Sequence, residues 1–243
     1  MKRFLFTVAI LALITTTAYP CFDTYLFLKR GSMVYPFRSL VFELNGEYSI
    51  NSLSLPGEDT FLSMGSIYYG LAQNFSLQFT LGSDEKVRNE FKIDYYGISG
   101  VYNLYSTLTG SYTLDLIFAH RGKLNEKSNE FEISIPNIFR ASNFTYVIHP
   151  TASYGLESKE FTLGAHAGIF YTFNEIGIIG VGAEYASVHS SSYAGQRLTK
   201  SEYSTSVFFG ARIGERFYLQ NEIAKGLANS RDIGFAITAK VIL

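Results

Sequence analysis

Along most of the chain, apolar side chains fall on every second residue and polar ones fill the positions between. The C-terminal stretch shows it plainly: Phe235, Ile237, Ala239, Val241 and Leu243 alternate with Gly234, Ala236, Thr238 and Lys240. A period of two is the signature of a β-strand with one apolar face. The same alternation sets Leu40, Phe42, Leu44 and Tyr48 against Glu43, Asn45 and Glu47, and Phe75, Leu77, Phe79 and Leu81 against Ser76, Gln78 and Thr80. It continues with Phe91, Ile93 and Tyr95 against Lys92 and Asp94, and with Tyr112, Leu114, Leu116 and Phe118 against Ser111, Thr113 and Asp115. Further strands are predicted on Phe161 to Tyr171, Ile179 to Tyr185 and Tyr203 to Ile213. Weaker ones fall on Phe61 to Gly70, Phe131 to Ile138, Asn143 to Gly155 and Phe217 to Leu227.

Counted this way, the chain carries about twelve strands, with ten as the alternative. Most approach the nine to eleven residues that cross a bilayer when tilted. Soluble strands cluster at five or six residues, so strand length favours a membrane barrel over a soluble sandwich or a soluble periplasmic ligand-binding barrel. Connections alternate as well. Tight turns are predicted at Ala72 to Asn74, Tyr105 to Leu108, Thr172 to Glu175 and Gly214 to Arg216, and longer polar loops at Asn51 to Thr60, Gly82 to Glu90, Arg121 to Glu130 and Val188 to Lys200. The fold class expected is all-β: a single antiparallel transmembrane β-barrel over residues 37–243.

The N-terminus departs from this pattern. Lys2 and Arg3 precede an uncharged apolar run from Phe4 to Ile14, too short for a membrane-spanning helix, and Thr16 and Ala18 occupy small-residue positions. This is the layout of a signal peptide cleaved after Ala18. Residues 19–36 form a segment of open role, in which Tyr25 to Leu28 is continuously apolar: a periplasmic segment, a small plug or an extra strand. Cys21 is the only cysteine, so no internal disulfide is possible. A lipidated N-terminus at Cys21 would require small residues before it, and Tyr19 and Pro20 stand there.

Composition sharpens the picture. With 18 Tyr, 21 Phe, 21 Gly and 5 Pro, the chain has the aromatic content that interfacial girdles need, frequent glycine and little proline to interrupt strands. A formal net charge of −1, without a basic block, argues against nucleic acid as a partner.

With its apolar parity on Phe235, Ile237, Ala239, Val241 and Leu243, the C-terminal strand resembles that of bacterial outer-membrane β-barrel proteins, which end on such a strand as the signal read by the barrel-assembly machinery. Those proteins usually end in an aromatic residue, and here the last residue is Leu243. The resemblance covers Arg38 to Leu243 as architecture and implies export to the outer membrane of a Gram-negative cell. It also implies contact with outer-membrane lipids and a role as a passive pore for small solutes, a transport-associated protein or a structural one.

On the polar parity, Glu43, Glu47, Asp94, Asp115, Glu132, Glu184 and Glu222 face Lys92, Arg212 and Lys240. If these line the lumen, its acidic character favours cationic or neutral solutes. His149 and His166 share the inward parity on neighbouring strands and read as a hydrogen-bonded lumen pair; no metal site or cofactor is expected. His120 sits at a strand end. His189 and Ser191 share a parity where a strand leaves the barrel, and the pair resembles the His-x-Ser of outer-membrane phospholipase A and the lipid A deacylases, in which histidine activates serine against a lipid ester. Those families usually carry asparagine after the serine, where this chain has Ser192; Glu202 lies near the spacing of the orienting residue. The alternative function is therefore a lipid-ester hydrolase.

Overall fold

The computed structural model describes residues 23, 28, 31–51, 59–83, 86–87, 92–125, 127–187, 191–193, 196–198, 201–228 and 232–243. Twelve antiparallel strands close into one barrel: β1 (Leu40–Ile50), β2 (Thr60–Ala72), β3 (Phe75–Gly82), β4 (Tyr95–Ser106), β5 (Tyr112–Lys123), β6 (in two pieces, Asn129–Ser134 and Asn137–Ala141), β7 (Phe144–Gly155), β8 (Phe161–Phe173), β9 (Gly177–Ala186), β10 (Glu202–Ile213), β11 (Phe217–Ala228) and β12 (Ile233–Ile242). Each strand pairs with its chain neighbours, and β1 also pairs with β12, with Phe42 opposite Val241 and Tyr48 opposite Phe235. Beyond the ladder, Leu243 donates to the carbonyl of Leu40 at 2.8 Å and Leu40 donates to that of Leu243 at 3.2 Å. Closure leaves the wall no open edge, so its backbone needs no water to satisfy it.

The alternation sorts cleanly around the wall. Outside stand large apolar side chains, among them Leu44 (69% exposed), Ile179, Val181, Val207 and Phe209; inside, Asn45, Ser66, Thr80, Ser204, Thr238 and Lys240 are buried. Outer-membrane barrels have the same inversion of the soluble pattern, with grease outward and polarity inward. Short turns gather at one rim, with Ser142, Asn174 and Glu175 at positive φ, while the longer connections gather at the other. Among the described residues, no helix is long and apolar enough to cross a membrane.

Two breaks in the wall depart from the sequence pattern, beside the short strand Lys86–Val87 and the hairpin of Ser191–Tyr193 with Gln196–Leu198, which form in stretches read as polar loops. The strand predicted from Phe91 begins only at Tyr95, whose ring turns inward to pack with Leu62 and Met64. That apolar contact inverts the parity expected for Tyr95. Lys92 therefore stands before the strand with its side chain 56% exposed, 3.8 Å from the buried Asp94 carboxylate. It sits at the long-loop rim and is not a wall residue of the lumen. The second departure is β6, broken at Pro136. Proline has no N–H for the ladder, yet the register survives: Ser134 faces Ile117 and Thr151, and Asn137 faces Leu114 and Ile148. The carbonyl of Pro136 still accepts from the amide of Asp115 at 3.0 Å.

Residues 31–36 run inside the barrel at the short-turn end. Val34 and Tyr35 are 3% and 1% exposed. Leu28 and Met33 pack against Ile138, Val147, Phe170, Ile178 and Phe208, and also against Tyr35, Val41 and Tyr218. Two glycines make room. A Cβ on Gly70 would lie 1.8 Å from the carbonyl oxygen of Pro36, so only glycine lets the entering backbone reach the wall, where Arg38 donates to Gly70 at 2.7 Å. A Cβ on Gly180 would lie 2.4 Å from the Phe208 ring, which covers that glycine.

Candidate functional site: a polar lumen with an inner segment

Two polar nodes, one centred on a carboxylate and one on an ammonium, hold the inner segment. At the first, Asp115, fully buried, accepts from the amide of Met33 at 2.6 Å, from the Ser32 hydroxyl at 3.1 Å and from Asn103 Nδ2 at 2.7 Å. At the second, the Lys240 ammonium on β12 meets the carboxylate of Asp23, the hydroxyl of Tyr35 and, at 2.8 Å, the Glu43 carboxylate on β1. The Tyr35 hydroxyl also donates to Asp23 at 2.6 Å, and Tyr68 donates to Glu43 at 3.0 Å. Lys240 Nζ lies 5.2 Å from the Tyr35 ring centre and 5.3 Å from that of Tyr68, within cation–π range. A buried ammonium needs partners of this kind because its hydration has been removed.

Above the segment lies a cavity of about 180 Å³. Its floor includes Met33, Tyr35 and Lys240, and its walls include Gln78, Ser99, Arg121, Glu132, Ser134 and His149. Much of the wall is internally paired. Gln78 Nε2 donates to the Tyr68 hydroxyl at 3.0 Å, and the Ser99 hydroxyl donates to Gln78 at 2.9 Å. Arg121 donates to Glu132 at 3.0 Å. Asn45 donates to the Thr238 hydroxyl at 2.8 Å.

Glu43, Glu47, Asp115, Glu184, Arg212, Glu222 and Lys240 lie on inward positions of the strands. His149 and His166 face each other across β7 and β8 as tilted rings with centres 5.8 Å apart, not as the hydrogen-bonded pair expected, and His166 Nδ1 is 3.4 Å from Glu184, which accepts from Ser204 at 3.1 Å. Lys92 and Asp94 lie outside the strands. His120 points outward among aromatic rings, 4.9 Å from Phe131 and 5.7 Å from Tyr96. Phe235, Ile237 and Leu243 are exposed on the outer face of the last strand, and Ala239 and Val241 are half-buried there.

His189 and the side chain of Ser191 lie outside the described residues, as do Cys21 and residues 1–18. Glu202 is described and opens β10 opposite Ala186. Among the described residues, no cluster of three or more His, Cys, Asp or Glu side chains is placed to hold a metal ion.

Several interior residues escaped the sequence reading. Arg121 reads as loop by composition but completes β5 and faces inward. Asp23 and Tyr35 belong to a segment without alternation. Tyr68 and Gln78 carry no charge to draw attention; their inward parity was the available signal.

A closed twelve-strand wall, apolar outside and polar within, has the architecture of a transmembrane β-barrel. No family model matches the chain, and no curated protein matches it. Solved structures do. The outer-membrane channel COG4313 from Pseudomonas putida F1 superposes with a TM-score of 0.70 at 9% identity, covering 88% of this chain and 98% of that one. The KdgM porin gives 0.59 at 12% identity over 83% and 98%, and the NanC porin 0.61 at 8% over 82% and 98%. The chain thus has the fold of bacterial outer-membrane channels and porins.

Proposed function

We propose that the protein is a passive outer-membrane channel for small neutral or cationic solutes, narrowed at its short-turn end by its own N-terminal segment. The observation that carries this reading is the cavity of about 180 Å³ inside the cylinder, with Gln78, Arg121, Glu132 and Lys240 among its lining residues and residues 31–36 beneath it. Ion preference follows from charge. Glu43, Glu47, Asp115, Glu132, Glu184 and Glu222 project inward against Arg121, Arg140, Arg212 and Lys240, of which Arg121 and Lys240 are bound by carboxylates. A net excess of inward carboxylates favours cations over anions. Short turns would face the periplasm and long loops the exterior, as in barrels of this type.

The test is conductance of the mature protein in planar bilayers, beside a variant lacking residues 19–36. The expected outcome is a small cation-selective conductance for the mature chain and a several-fold larger one after deletion. Anion selectivity, or equal conductance with and without the segment, contradicts the reading.

A further inference from the structure

Most of the inward carboxylates are matched by groups of the barrel itself. Glu43 and Glu132 are bound by Lys240 and Arg121, and Glu184 accepts from the Ser204 hydroxyl and faces His166. Asp115 accepts from the amide of Met33 and from the Ser32 and Asn103 side chains. Glu222 is different. It is 9% exposed, and among the described residues no ion pair reaches it; the polar groups around it are the Ser206 hydroxyl, the Glu184 carboxylate and the His166 ring. A carboxylate withdrawn from bulk water without a cation is costly, and a mobile counter-ion relieves that cost. We propose that Glu222 is the cation-selecting residue of the lumen, the place where a small monovalent cation pauses on its way through. The proposal rests on the channel reading and deepens it by assigning the ion preference to one side chain.

The strand register builds an approach to this carboxylate. Toward the long-loop rim, the inward positions beside it are Ala224 and Gly226 on β11, Gly234 and Ala236 on β12, and Ser204 and Ser206 on β10. None is larger than serine, so the wall leaves room on that side. Level with Glu222 on β10 stands Phe208, part of the apolar core against which Leu28 and Met33 of the inner segment pack. Glu222 therefore sits where small lumen side chains give way to packed ones. On its other flank, Glu47 of β1 lies at the same level, because both glutamates pair with Ala236. Two strand spacings, about 10 Å, separate their backbones, and only the methyl group of Ala236 stands between. A cation at Glu222 comes under the field of this second carboxylate, and an anion is repelled by both. The class of solute follows from charge: an alkali ion or a primary ammonium supplies the single positive charge that Glu222 lacks.

Reversal potentials of the mature barrel in planar bilayers are measured across gradients of potassium chloride and of methylammonium chloride, in slightly alkaline buffer. The wild type is expected to prefer both cations over chloride, and Glu222→Gln to lower that permeability ratio severalfold. Arg121→Gln combined with Glu132→Gln removes a matched pair and is expected to leave the ratio nearly unchanged. Ala236→Glu in the Glu222→Gln background returns a carboxylate to the same level and is expected to restore the preference, which a purely structural role for Glu222 would not permit. Binding is read separately in detergent micelles by carboxyl-carbon NMR of labelled glutamate, as methylammonium chloride replaces tetramethylammonium chloride at constant ionic strength. A saturable shift is expected at the resonance missing from Glu222→Gln and not at that of Glu132, and heat-modifiable migration reports that each variant folds. Equal permeability ratios for wild type and Glu222→Gln, failure of Ala236→Glu to restore the ratio, or no saturable shift at Glu222 overturns the proposal. A barrel that conducts without these responses refutes the role of Glu222 alone; one that shows the shift but never conducts refutes the channel alone.

Discussion

Lys240 is the residue through which a single substitution reaches furthest. It joins Asp23 of the inner segment to Glu43 of the wall, so Lys240→Met leaves two carboxylates buried side by side without their cation. Removing one partner of a buried ion pair costs about 3 kcal/mol or more. Part of that cost is relieved if Asp23 leaves, which releases the segment. The expected outcome is a conductance approaching that of the 19–36 deletion, together with a lower temperature for loss of heat-modifiable migration. Gly70→Ala tests the same seat from the opposite side. Its Cβ would meet the Pro36 carbonyl at 1.8 Å, which is no contact a backbone can hold. Limited proteolysis near residue 36 should then cut faster than in the wild type. An unchanged cleavage rate would show that the segment accommodates the methyl group in place.

At the scale of the element, the outward parity carries a direct energetic expectation. Val207, in the middle of β10, is 52% exposed on the outer face, and its neighbour Ser206 is buried on the inner one. Arginine at a lipid-facing midplane position costs about 2–4 kcal/mol. Urea titration of the barrel folded into vesicles should show that loss for Val207→Arg. Long alternating strands such as β1, β3, β8, β10 and β12 were legible in the sequence because a period of two sustained along a whole strand puts no continuous apolar stripe on a helix. Where local contacts outvote the period, legibility failed. Tyr95 follows Ile93 in parity, but its ring joins Leu62 and Met64, residues far from it in sequence, and Lys92 is left outside. Pro136 splits β6 without shifting its register, an outcome set by the two flanking strands. Among site residues, the charged ones on regular strands were visible; Arg121 was hidden by a polar stretch that read as loop, and Asp23 and Tyr35 by a segment whose place depends wholly on tertiary packing.

For the whole molecule, one choice of sides governs everything else: the apolar parity faces outward and the polar parity encloses the segment and the cavity. The structure shows this arrangement, and the likeness to solved outer-membrane channels extends over more than four fifths of the chain in each comparison described. The reading as a lipid-embedded cylinder is tested most directly by spin labels placed in turn at Val207→Cys and Ser206→Cys, in a Cys21→Ser background, after reconstitution into bilayers. Apolar oxygen and a polar nickel chelate then compete to relax each label. The account predicts relaxation dominated by oxygen at position 207 and oxygen access several-fold lower at the adjacent position 206. Equal access at the two positions, or stronger oxygen relaxation at 206, would contradict it.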